Sequence, residues 1–88
     1  MEVMILNYKN SLDALMIILR MGGKITQAPS QLSYMLNGLK YYSLEVSING
    51  YHYVIQAFEQ EAIELFNAVM KVLDEKKILM KKIEKIFR

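Results

Sequence analysis

His52 is the only histidine among the 88 residues, and there is no cysteine. Acid–base or nucleophilic chemistry needs a nucleophile, a base and a third group converging in one place. A two-residue turn at Asn49-Gly50 sets Ser47 across from His52, with Glu45 diagonal to it. Serine, histidine and glutamate thus share one flank of a hairpin. No oxyanion loop or cleft is implied beside them, and the spacing points to a solvent-facing histidine. Gly22-Gly23 lacks the further glycines of a phosphate-binding loop. Glu59, Glu61 and Glu64 fall in the first turns of a predicted helix, where carboxylates meet the positive end of its dipole. A single histidine without cysteine argues against a structural metal site. The expectation is a non-enzyme with no catalytic, cofactor-binding or metal-binding residues and no cofactor.

The elements that position these residues follow from periodicity and turn chemistry. Glu2 to Tyr8 reads as a strand apolar on both faces, Val3 and Ile5 against Met4 and Leu6, which predicts an interior position. Asn10 or Ser11 caps a helix carrying Leu12, Leu15, Met16 and Leu19 at helical spacing, and Gly22-Gly23 stops it. Lys24 to Ala28 connects to a shorter helix opened by Pro29-Ser30, run through Leu32, Met35 and Leu36, and closed by Asn37-Gly38. Asn49-Gly50 fits a type I′ hairpin pairing Ile48 with Tyr51, Val46 with Tyr53 and Leu44 with Ile55. From about Phe58 onward no glycine or proline interrupts a helical pattern. The expected fold class is α+β, a small β-α-α-β-β-α domain with one antiparallel hairpin and a long amphipathic C-terminal helix. It is one domain, residues 1–57 forming the body and 58–88 the helix.

That last helix carries the strongest signal. Leu65, Val72, Leu79 and Ile86 form one column, Phe66, Leu73, Met80 and Phe87 a second, and Ala62, Val69 and Ile83 a third. At 1.5 Å per residue it is ~45 Å long, against a diameter of roughly 30 Å for a compact chain of this size. The apolar columns continue where the body cannot follow. A small core without disulfide or metal commonly gains stability by association. A homodimer or higher oligomer is expected through Leu65, Val69, Val72, Leu79, Met80, Ile83, Ile86 and Phe87.

Charge is uneven along the chain. Residues 76–88 carry net +5, the rest net −3, and the total is +2. Tyr41, Lys77, Lys81, Lys82, Lys85 and Arg88 are therefore candidate contacts for a partner protein or nucleic acid. Five of the six tyrosines lie between Tyr34 and Tyr53. Tyr51 and Tyr53 fall on the predicted core side, leaving Tyr41 as the contact candidate. The basic stripe also suits the acidic helix start, Glu59, Glu61 and Glu64, of a neighbouring subunit.

The first helix at Ser11–Gly23, a short Lys24-Ile25-Thr26 strand and a wing from Leu44 to Ile55 together resemble a winged-helix DNA-binding domain followed by a dimerising helix. The likeness covers about half the chain and implies a compact DNA-binding regulator. That family places two helices where Gln27 to Ser43 has room for one, and Lys40 is the only cation from Ser30 to Ser43. The leading expectation is a non-catalytic protein acting by protein–protein contact as a homo-oligomer. Its proportions fit an inhibitor or accessory factor of a mobile element, viral or phage ones among them. With 53% hydrophobic residues, no signal-peptide pattern at Met-Glu-Val-Met and no apolar run long enough for a bilayer, a cytoplasmic protein is expected.

Overall fold

A computed structural model describes the backbone of residues 3–6 and 10–86 and the side chains of 10–77. The chain runs β1 (Val3–Leu6), α1 (Ser11–Arg20), β2 (Lys24–Gln27), β3 (Ser33–Tyr34), β4 (Lys40–Ile48), β5 (Tyr51–Phe58), α2 (Glu59–Ile86). The strands form one sheet in the order β1-β5-β4-β2, with β3 also paired to β4. Only the β1–β5 pairing is parallel. Because β5 occupies one side of β4, β2 and β3 share the other, end to end. The fold class is α+β, as expected.

The β4–β5 hairpin has the anticipated register, with Leu44 facing Ile55, Val46 facing Tyr53 and Ile48 facing Tyr51. Asn49 (φ 52°) and Gly50 (φ 82°) both take left-handed backbone, as a type I′ turn requires. Alternation then sends Tyr42, Leu44, Val46, Ile55 and Ala57 into the core, all at most 2% exposed. Both helices cover this one face. α1 supplies Ala14, Leu15 and Ile18, and α2 supplies Ala62, Leu65 and Val69, with Phe66, Met70 and Leu73 packed beside them. The Asn10 side chain accepts from the amides of Leu12 and Asp13, closing the start of α1.

Three elements differ from expectation. No helix forms over Pro29–Leu36. Of its three spaced apolar residues only Leu32 packs on the core, while Met35 and Leu36 are exposed. Ser33 and Tyr34 instead ladder onto Tyr41 and Lys40. Asn37-Gly38, which reads equally well as a helix stop, makes the turn. The Met35 amide donates to the Leu39 carbonyl at 2.9 Å and the Gly38 amide to the Met35 carbonyl at 2.8 Å. Gly38 sits at φ 84°, the three-residue hairpin loop with a left-handed last residue. Lys24–Gln27, read as a connection, is strand β2.

The third difference is β1, which lies at the end of the sheet order rather than inside it. Residues 2, 7 and 8 of the expected strand lie outside the described residues. A two-faced apolar pattern reports burial on both sides of a strand but not whether both its edges are paired.

α2 makes the molecule long, 51 × 27 × 21 Å. Among the described residues Leu73 is the last of its side chains packed on the body, and Asp74, Glu75, Lys76 and Lys77 are all exposed. The helix then continues to Ile86, ~20 Å further at the standard rise. Leu65 and Val69, expected at an oligomer interface, are fully enclosed by their own chain and are not available to one. Val72 is half-buried. Leu79, Met80, Ile83, Ile86 and Phe87 lie outside the residues whose side chains are described.

Candidate binding groove

The sheet face opposite the helices has no second layer among the described residues. Strand alternation puts Tyr41, Ser43, Glu45 and Ser47 of β4 there, with Phe58, Gln56, Val54 and His52 of β5 as their cross-strand partners. At its β3 end this face becomes apolar. The Tyr41 and Phe58 rings are 6.4 Å apart, tilted by 37°. Tyr34, Met35, Leu36, Asn37 and Gln56 complete a groove of about 700 Å³ around them.

Three observations explain why the groove has this shape. The Tyr42 hydroxyl, from a side chain with no exposed surface, donates to the Pro29 carbonyl at 2.7 Å. Its ring meets Phe66 edge-on at 5.3 Å, so the segment leading into β3 is tied to the core. The Asn37 side-chain oxygen accepts from the Leu39 amide at 3.0 Å, fixing the turn. Glu59 stands at φ 52°, an unusual conformation for a residue with a side chain. That kink sends the chain from β5 into the helix layer, while Phe58 stays on the open face.

The groove holds no charged residue, and its apolar side chains are far from covered. Leu36, at the tip, is as exposed as a free residue (110%), Tyr34 is 62% exposed, and Met35 and Phe58 are close to half exposed. Aromatic residues and methionine with few charges are the composition of the buried centre of a protein contact. Single exposed apolar residues are ordinary, whereas here Tyr34, Met35, Leu36 and Phe58 stand together around one groove.

The remaining candidates are scattered. Tyr41 is half-buried within the groove. Lys77 is exposed on α2, 18 residues past Glu59, or ~27 Å along the helix. Lys81, Lys82, Lys85 and Arg88 lie outside the described side chains. His52 and Ser47 are cross-strand partners on the open face, as the spacing predicts. Ser11 is a buried hydroxyl, but it donates to the Gln56 carbonyl at 3.0 Å and approaches Glu61 Oε2 at 3.4 Å, a structural tie between α1, β5 and α2. Among the described residues no cluster of three metal-binding side chains occurs, and no helix is long and apolar enough to cross a membrane.

The groove was only partly visible in the sequence. Strand alternation points to Tyr41, whereas helical spacing places Tyr34, Met35, Leu36 and Phe58 on a helix or its margin. Their signal was Asn37-Gly38 taken as a hairpin turn. The winged-helix likeness does not extend to its reading element, since Ser30–Ser43 holds β3, a turn and the start of β4 instead of a helix. No known protein family, no curated protein and no solved structure matches this chain.

Proposed function

We propose that this chain is a non-catalytic protein that works by binding polypeptides, with the β3–β4 groove as the contact surface for a partner protein and α2 as the element of self-association. The observation that carries the first half is the exposed, uncharged patch of Tyr34, Met35, Leu36 and Phe58. A surface built to hold nucleic acid would pair such rings with cations that neutralise phosphates. Here the groove has none, and residues 1–75 are net −3. The second half is supported by the length of α2 beyond Leu73 and the apolar columns its sequence continues there. An accessory or inhibitory role, in which occupying a partner's surface is the whole output, suits a chain of these proportions.

The test is affinity capture from the native host with the full chain and with Leu36→Arg as baits, each with and without nuclease, followed by reconstitution with the purified captured protein. Leu36 touches solvent on all sides, so the substitution leaves the fold intact. The expected result is a nuclease-resistant protein partner that the purified chain binds and Leu36→Arg does not. Nucleic acid retained equally by both baits, and lost when Lys77, Lys81, Lys82 and Lys85 become glutamine, would replace this function with nucleic-acid binding through the tail.

A further inference from the structure

The helix layer carries a second surface, distinct from the groove. α1 and α2 begin side by side, tied at Ser11 and Glu61. At that end Asp13, Glu59, Glu61 and Glu64 are all exposed. The outer side of α1 is apolar as well as open, with Met16 38%, Ile17 49% and Met21 64% exposed. A helix with apolar residues on more than one side is normally covered on more than one side. The other end of α2 has the complementary character. The sequence of residues 76–88 carries net +5, with Leu79, Met80, Ile83 and Ile86 at helical spacing.

From this complementarity we infer that the helix layer of one copy is the seat for the C-terminal part of α2 from a second copy, the two α2 helices running antiparallel. The inference rests on the self-association proposed above and adds its partner surface and direction. Antiparallel pairing brings the basic end of each helix to the acidic start of the other, and two-fold symmetry makes both contacts at once. Parallel pairing would stack six cations of one tail against six of the next, which repel. The exposed Met16 and Ile17 supply an apolar seat beside the carboxylates, so an amphipathic basic helix meets both kinds of surface it requires.

Absence of cysteine makes the test clean. Full-length Glu64→Cys and Lys81→Cys chains, mixed in equal amounts under mild oxidation, should give chiefly the mixed disulfide, with little of either like pair. Glu59→Lys with Glu64→Lys should weaken dimerisation about tenfold, the sum of a few exposed pairs. Adding Lys81→Glu and Lys85→Glu to the same chain should restore it. A dimer indifferent to charge reversal, cross-linking Lys81→Cys to itself, would overturn the antiparallel arrangement while leaving self-association standing. A folded monomer at every concentration in sedimentation would remove both.

Discussion

Replacing Tyr42 by phenylalanine tests how the groove is held in place. The phenyl ring can keep its contact with Phe66 and its place between β4 and α2, so no cavity opens. What is lost is the bond from the hydroxyl to the Pro29 carbonyl at 2.7 Å. Pro29 is itself exposed, and its carbonyl can turn to water instead of being stranded. The cost is therefore that of one net hydrogen bond, about 1 kcal/mol. That corresponds to a fall of roughly 4–8 °C in melting temperature for a domain of this size. Emptying the site with Tyr42→Ala should cost ~3–5 kcal/mol. Burial also raises the Tyr42 hydroxyl above its ordinary pKa of 10.0, because the fold favours the neutral form. That contribution is complete below the unfolded value and disappears as pH rises through the higher folded one. Urea unfolding of both proteins at neutral pH, and again from about pH 10 upward, should show a difference of about 1 kcal/mol that narrows with alkalinity, at unchanged m-value. Equal stabilities at neutral pH, or a gap that widens above pH 10, would refute this account of Tyr42.

Two glycines should fail under substitution for different reasons. A methyl group at Gly23 would strike the Ile18 side chain and lie 2.8 Å from the Ile18 carbonyl and 3.2 Å from that of Ser47, so Gly23→Ala should cost ~1–3 kcal/mol in urea unfolding. Gly50 has open space around it but stands at φ 82°; Gly50→Val should cost about 1–2 kcal/mol through backbone strain, and Gly50→Asn, which tolerates that conformation, should recover most of it.

The parts of the fold set by local chemistry were legible. Asn49-Gly50 with alternating flanks has one good solution, and so does an uninterrupted helical period from about Phe58. The segment Pro29–Gly38 has two. Leu32, Met35 and Leu36 satisfy a helix, and Asn37-Gly38 ends a helix as readily as it turns a hairpin. The choice depends on Ser33 and Tyr34 finding Tyr41 and Lys40, a tertiary pairing no local pattern records. The groove stands on that pairing, so local pattern alone does not assemble most of its residues. The same limit applies to Leu65 and Val69: periodicity put them on an apolar face, but only packing tells whether a helix spends that face on its own sheet or on another chain.

Hydrogen exchange of the full chain with and without its captured partner reads out whether the β3–β4 groove binds polypeptide. Among the described residues the Leu36 and Asn37 amides donate no internal hydrogen bond, whereas those of Met35, Gly38 and Leu39 do. The tip should therefore exchange rapidly in the free protein and slow only when covered. Polypeptide binding in the groove should bring partner-induced protection of residues 33–41 and 56–58. Protection confined to the C-terminal part of α2, with the hairpin tip exchanging as fast as in the free chain, would contradict it.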